Sequence, residues 1–79
     1  MILTFEHGAV RELRLNRPPV NALSPELIAT LLRAVQMAPR EGKRALLLSG
    51  SPGMFSAGLD VPALLKLDRP AMEAVWRDF

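Results

Sequence analysis

Hydrophobic and polar residues alternate at the start of the chain in a pattern that predicts two β-strands. The two runs are residues 2–6 and 9–15, and a turn at His7-Gly8 separates them. The period of two is clear over 12–15 and imperfect before it. Asn16-Arg17-Pro18-Pro19 then ends the second strand, because proline has no N–H to donate to a strand ladder.

The next segment has the signals of an amphipathic helix. Ser24 is a good N-cap, and Pro25 falls at the first helical position, where its missing N–H is harmless. Pro39 ends the pattern. The apolar stripe between them consists of Leu27, Ile28, Leu31, Leu32 and Val35.

The stretch from Ala45 to Asp60 is the centre of the sequence. It begins with an apolar run without alternation, which predicts a strand over 44–49 that is buried on both faces. Ser49-Gly50-Ser51-Pro52-Gly53 is a strong turn signal. Residues 55–60 follow and lead into a helix.

Two short helices are predicted at the end of the sequence. Asp60 is a plausible N-cap for a helix over 61–67, and Asp68, followed by Arg69-Pro70, repeats the signal. The second helix has Met72, Val75, Trp76 and Phe79 on one face. Five apolar side chains of these helices would be hard to bury in a monomer, so we expect a partner surface there. They are Leu64, Leu65, Val75, Trp76 and Phe79.

Composition narrows the class of protein. The 79 residues form at most one domain, and 49% hydrophobic content makes disorder unfavourable. A net charge of +2, from scattered basic residues, gives no argument for nucleic-acid binding. No cysteine is present, so there is no disulfide or thiol chemistry. Without a signal peptide or a membrane span, a cytoplasmic protein is predicted.

Familiar catalytic and binding patterns are absent. His7 has no Asp, Ser or second His near it in sequence and is interpreted as a solvated turn residue; no zinc-ligand spacing exists. The serines lack the Gly-x-Ser-x-Gly pattern. Gly53 and Gly58 have the spacing of a phosphate-binding loop, but Leu59-Asp60 stands where Lys and Ser or Thr are required. A nucleotide-binding loop is therefore excluded.

The loop over 55–60 has one remaining chemical possibility. Gly58 has no Cβ and permits close approach of a ligand, and the N–H of Leu59 lies just before a predicted helix. A backbone donor at such a place could stabilise negative charge on a carbonyl oxygen. The alternative is a tight loop capped by Asp60, and the pattern alone favours that alternative.

Two segments of this sequence resemble a known family. Leu46-Leu47-Leu48-Ser49-Gly50 and Phe55-Ser56-Ala57-Gly58-Leu59-Asp60 resemble the first oxyanion-hole loop of the crotonase (enoyl-CoA hydratase/isomerase) superfamily. Leu15-Asn16-Arg17-Pro18-Pro19-Val20-Asn21-Ala22-Leu23-Ser24 resembles its N-terminal signature. Both segments occur in the order found in the family, and their residues are most similar to those of the Δ3,Δ2-enoyl-CoA isomerases.

The resemblance implies an α/β fold, a ClpP/crotonase-like spiral of β-β-α units, of which residues 1–79 form the N-terminal part. It implies binding of acyl-CoA thioesters, with coenzyme A as part of the substrate and no separate cofactor or metal. Family members usually assemble into trimers. Leu59 would donate an oxyanion-hole N–H, and the carbonyl of Ala57 would face the adenine. Other expected substrate-binding residues are Val20, Ala22, Ser56, Gly58 and Asp60.

The sequence also departs from the family pattern. The second oxyanion donor and the acid and base glutamates have no counterpart, and a donor without a base cannot move a proton efficiently. The glutamates that match none of them are Glu6, Glu12, Glu26, Glu41 and Glu73. We therefore expect an inactive N-terminal piece of an enoyl-CoA isomerase or hydratase, completed by a C-terminal part. The alternative is a non-catalytic, truncated crotonase-like module that assembles with other copies.

Overall fold

The computed structural model describes residues 1–79, which fold into a three-stranded sheet and three α-helices. The order of elements matches the order that the hydrophobic pattern predicts. The elements are β1 (Ile2–His7), β2 (Val10–Leu15), α1 (Pro25–Met37), a 3-10 turn (Pro39–Glu41), β3 (Ala45–Ser49), α2 (Val61–Leu64) and α3 (Arg69–Asp78).

The sheet has the strand order β1-β2-β3. Strands β1 and β2 form an antiparallel hairpin in which Ile2 lies opposite Leu15. Strand β3 pairs in parallel with β2, with Val10 opposite Ala45. A parallel neighbour requires a crossover connection, and α1 supplies it. The chain is therefore one β-β-α unit followed by a strand, a long loop and two short helices.

Helix α1 begins as its sequence predicts. The Ser24 hydroxyl accepts a hydrogen bond from the Leu27 N–H, and Pro25 occupies the first turn. Leu27 and Ile28 are buried, and Ile28 joins a small core with residues of α2 and α3. That core consists of Ile28, Leu64 and Val75, with Leu23, Leu59, Leu67 and Met72 packed against it.

Helix α2 is shorter than the predicted 61–67 and ends at Leu64. Asp60 caps it as predicted, through the Ala63 N–H. The hydrogen bonds change after Leu65, because Lys66 N–H donates to the Ala63 carbonyl at 3.3 Å and Leu67 N–H to the Leu64 carbonyl at 3.0 Å. These bonds reach back three residues instead of four, so the chain tightens into a turn and α2 does not continue to 67. Asp68 then caps α3 by accepting from the Ala71 N–H.

The prediction that β3 is buried on both faces is wrong for this chain. Leu47 and Leu48 are 51% and 45% exposed. Successive side chains of a strand point to opposite faces, so neither face of β3 is fully covered by the rest of the chain, and β3 is also an edge strand with β2 on one side only. An unalternating apolar run on an open edge is unusual, because such edges are templates for pairing.

The apolar residues of the last two helices divide into two groups. Leu64 and Val75 are buried in the small core, which contradicts the expectation that they require a partner surface. Leu65, Trp76 and Phe79 are exposed as expected. None of the helices is both long and apolar enough to cross a membrane.

A buried carboxylate lies on the other face of the sheet. Glu12 accepts from the Ser49 hydroxyl at 2.6 Å and from Arg14 Nη2 at 2.8 Å, and its other oxygen lies 3.1 Å from His7 Nε2. These contacts, that of Ser49 first, lower the Glu12 pKa to about 2. His7 is the last residue of β1 and its side chain is partly exposed, so the prediction of a solvated residue missed its contact with Glu12.

Replacement of this carboxylate should make the folded chain less stable at neutral pH and should make its stability less sensitive to acid. Because the Glu12 pKa is lower in the folded chain, its contribution is present at neutral pH and disappears as pH falls from about 5 towards 2. We expect Glu12→Gln to lower the urea midpoint at pH 7 and to reduce its fall on acidification. Glu73→Gln, on an exposed side chain, is the control. This account would be contradicted if Glu12→Gln had the same urea midpoint as the parent chain both at pH 7 and at acid pH.

Candidate functional site

The loop over 51–60 lies against the connector between β2 and α1, residues 16–24, and the two are joined by backbone hydrogen bonds. Ala57 N–H donates to the Val20 carbonyl at 2.9 Å. Leu23 forms two bonds, donating to the Gly58 carbonyl at 2.8 Å and accepting from Asp60 N–H at 3.0 Å. The two segments that resemble the family signatures therefore form a single structural unit.

Asn21 holds the first half of this loop. The residue is 1% exposed. Its backbone is in the left-handed conformation, with φ of 53°. The amide donates to the carbonyl of Phe55 at 3.0 Å and, more weakly, to that of Met54 and to the Ser51 hydroxyl, both at 3.3 Å. Its oxygen accepts from Arg17 N–H at 2.8 Å. Both groups of the buried amide are thus satisfied, as burial requires.

Ser56 and Gly58 shape the tip of the loop. The Ser56 hydroxyl donates to the Asn21 carbonyl at 2.7 Å and accepts from Gly58 N–H at 3.0 Å. Gly58 has a φ of 95°, a conformation that side chains rarely adopt. No atom lies within 4 Å of the position that a Cβ would take there. Glycine is therefore required at this position by the backbone angle and not by crowding.

An ion pair holds the second half of the loop. Arg17 Nη2 donates to Asp60 Oδ2 at 2.9 Å, and Arg17 Nη1 donates to the Ala22 carbonyl at 2.8 Å. The second oxygen of Asp60 caps α2. The Ala63 N–H and the Arg17 guanidinium together lower the Asp60 pKa, so the carboxylate stays ionised at neutral pH.

The N–H of Leu59 donates no hydrogen bond within the chain. Leu59 precedes Asp60, the N-cap of α2, so its free N–H is not one of the unpaired donors of the helix start. The physical reason is a parallel bridge between Leu23 and Leu59. In such a bridge the flanking residues 58 and 60 bond to Leu23, so the Leu59 N–H points to the opposite side.

All seven residues expected to bind substrate lie in this unit. Val20 and Ala22 contribute carbonyls to its hydrogen bonds, and Ser56, Gly58 and Asp60 fix the loop backbone. The carbonyl of Ala57 accepts no hydrogen bond from the chain, and the residue is exposed.

Two residues that build the site were absent from the expected set, namely Arg17 and Asn21. A signal for Asn21 existed, because asparagine is one of the few non-glycine residues that tolerate positive φ. No local pattern could show that Arg17 reaches Asp60, 43 residues later in the sequence.

An apolar groove of about 320 Å³ lies beside the unit but does not include the Leu59 N–H. It is lined by the stripe of α1 apart from Leu27, by Leu48 of β3 and by Phe55 and Phe79. Ser56 is the one expected site residue on its wall. No group of three His, Cys, Asp or Glu side chains is placed to hold a metal ion.

Comparison with known proteins settles the family. The family model described as enoyl-CoA hydratase/isomerase matches residues 6–78. The chain belongs to the enoyl-CoA hydratase/isomerase family. Its fold is that of the N-terminal part of crotonase-fold proteins, which confirms the predicted α/β architecture.

Three similar proteins illustrate the relationship. The human peroxisomal bifunctional enzyme is 38% identical over 56 residues, which are 70% of this chain and 8% of that protein. The structure of human mitochondrial delta3-delta2-enoyl-CoA isomerase matches with a TM-score of 0.80 and 28% identity, over 98% of this chain and 31% of that one. Enoyl-CoA hydratase subunit I of Geobacillus kaustophilus HTA426 matches with a TM-score of 0.79 and 34% identity, over 98% and 33%.

This family member therefore spans about a third of the solved structures that it matches. Isomerases and hydratases both occur among those structures, so the particular similarity to isomerases stays a prediction.

Substitution of Asn21 should separate its backbone role from its side-chain role. Asn21→Gly removes the amide contacts but keeps a residue suited to positive φ. We expect it to lower the free energy of unfolding by about 1–3 kcal/mol. Asn21→Ala should lose about 1 kcal/mol more, because alanine is strained in the left-handed region. Urea unfolding of the three chains measures both. At an unstrained position alanine is ordinarily more stabilising than glycine. An Asn21→Ala chain more stable than the Asn21→Gly chain would therefore show that the left-handed conformation does not strain alanine here.

Proposed function

We propose that this family member is the acyl-CoA-binding portion of an enoyl-CoA isomerase or hydratase. In this proposal the Leu59 N–H donates to the thioester carbonyl of the substrate. The observation that supports it most is the unpaired N–H of Leu59, fixed in direction by the two bonds of its neighbours to Leu23. A donor held in place before the substrate arrives costs no reorganisation during the reaction.

The chemistry that suits such a donor is the formation of an enolate. When a proton leaves the carbon beside a thioester, negative charge accumulates on the carbonyl oxygen. A fixed N–H at that oxygen stabilises the charged state more than the neutral one, by about 3–4 kcal/mol in comparable sites. The only cofactor-like group involved is the coenzyme A of the substrate itself.

The exposed edge of the loop and connector is the proposed surface for coenzyme A. The free carbonyl of Ala57 is available to accept from the exocyclic amine of an adenine. Val20, Ala22, Ser56 and Asp60 form the remainder of this surface, as the family resemblance implies. Their carbonyls and side chains already hold the loop, so they would position the ligand mainly through the backbone.

The loop offers no free acid or base for proton transfer, because its only carboxylate, that of Asp60, is held by Arg17 and the Ala63 N–H with a lowered pKa. No glutamate forms a hydrogen bond to any residue of 55–60. Glu12 is held by Ser49 and Arg14 with a pKa of about 2, which makes it a poor base at neutral pH. Glu6 is paired with Arg11 and Lys43. These 79 residues alone should therefore bind a thioester without converting it.

A second candidate function is that of a non-catalytic assembly module. The exposed apolar side chains favour it, above all Leu47 and Leu48 on the open edge of β3, Trp76 of α3 and Phe79, which follows α3. Partners would be further copies, as a trimer by family resemblance, or the C-terminal part of a longer protein. Light scattering reports such assembly, and a chain that assembles but binds no acyl-CoA would favour this function over the first.

The proposed donor can be tested with a matched pair of variants. Leu59→Pro removes the N–H, whereas Leu59→Ala keeps it and removes only side-chain packing against the core. We expect Leu59→Pro to weaken crotonyl-CoA binding by about tenfold, because the bound carbonyl is neutral and the loss of one hydrogen bond to it costs about 1–2 kcal/mol. Leu59→Ala should stay within a few-fold of the parent. Calorimetric titration gives the affinities, and thermal unfolding confirms that each variant is folded.

Two results would count against the proposal. Equal binding by folded Leu59→Pro and Leu59→Ala chains would exclude the N–H as the donor. Turnover of crotonyl-CoA or 3-hexenoyl-CoA by the parent chain would show that the acid and base lie within these residues.

A further inference from the structure

A continuous line of hydrogen bonds connects Arg17 with the N–H of Leu59. Arg17 Nη1 donates to the Ala22 carbonyl at 2.8 Å. That carbonyl belongs to the same peptide group as the Leu23 N–H, which donates to the Gly58 carbonyl at 2.8 Å. The Gly58 carbonyl in turn belongs to the same peptide group as the Leu59 N–H. A cation therefore lies at one end of the line, and an N–H without an acceptor in the chain lies at the other.

The two peptide groups in this line have the same orientation. Both are trans, so each carbonyl points opposite to the N–H of its own group. The oxygen of each group faces the arginine side, and its N–H faces the Leu59 side. Their dipoles thus add head to tail with the positive ends towards Leu59. Hydrogen bonds arranged in such a chain polarise one another, and a charged donor at the start strengthens the effect.

Asp60 fixes the guanidinium at the start of the line. It holds Arg17 Nη2 at 2.9 Å while Nη1 is on Ala22, so both branches of the planar fork are engaged. The carboxylate offsets part of the positive charge, but it is bound by Nη2 and not by Nη1, the nitrogen that begins the line. Lys66 is the other cation that acts on Asp60. A lysine at position 17 could supply the charge but not two contacts in this geometry.

From this arrangement we infer that Arg17 is a positioning residue that polarises the Leu59 N–H through the peptide groups 22–23 and 58–59. It makes Leu59 a stronger hydrogen-bond donor towards a developing oxyanion, although the guanidinium itself does not contact the ligand. The inference rests on the proposed function, since it concerns the same donor.

The test uses crotonyl-CoA labelled with carbon-13 at the thioester carbonyl. A hydrogen bond to that carbonyl lowers its infrared stretching frequency, and the size of the shift reports donor strength. The parent chain should lower the frequency. Arg17→Met should reduce the shift by roughly 10–30% and weaken binding roughly two- to fourfold, with a smaller change for Arg17→Lys. Arg33→Met, at an exposed arginine without contacts to the loop, should match the parent.

A second measurement needs no ligand and covers the case in which Arg17→Met does not fold. The nitrogen-15 shift of Leu59 and the carbonyl carbon shift of Gly58 respond to polarisation of the peptide group that they share. Both should move towards less polarised values in Arg17→Lys and Arg17→Met, and both should be unchanged in Arg33→Met.

The outcomes are distinguishable. A parent chain that binds crotonyl-CoA without shifting the carbonyl frequency would overturn the proposed function and, with it, the role assigned to Arg17. A parent shift that folded Arg17 variants retain in full, with unchanged Leu59 and Gly58 resonances, would overturn the inference and leave the proposed function intact.

Discussion

The pair of backbone hydrogen bonds between Leu23 and the two neighbours of Leu59 is the constraint on which this site depends. Because they occupy the Gly58 carbonyl and the Asp60 N–H, the Leu59 N–H must point away from the connector. The same bonds place the Leu59 side chain against the small core around Ile28. A single bridge thus couples the direction of the proposed donor to the packing of the helices.

The polar side chains of the unit serve this bridge. Asn21 holds the loop before Leu59, and the pair of Arg17 and Asp60 holds it after. Each uses its hydrogen-bonding groups within the unit, so the loop is ordered without a metal or a disulfide. Ordering that is complete before binding is what allows a single N–H to act as an effective donor.

Much of the fold could be predicted because its signals are local. Ser24, Asp60 and Asp68 each cap the helix that the sequence assigned to them, and the strands lie within a residue or two of their predicted ends. Sheet order is not a local property, so the exposure of β3 and the pairing of Arg17 with Asp60 could not be found in the same way. The resemblance to a family located the loop, whereas only the structure gave the reason why Leu59 N–H is free.

The central claim is that Leu59 N–H is a fixed, unoccupied donor for a thioester carbonyl. Titration of the nitrogen-15-labelled chain with crotonyl-CoA, followed by amide NMR, tests it most directly. The account predicts that the Leu59 amide proton moves downfield by more than any other backbone amide, as a new hydrogen bond forms. A saturating titration in which the Leu59 resonance does not move, while other residues of the chain respond, would contradict it.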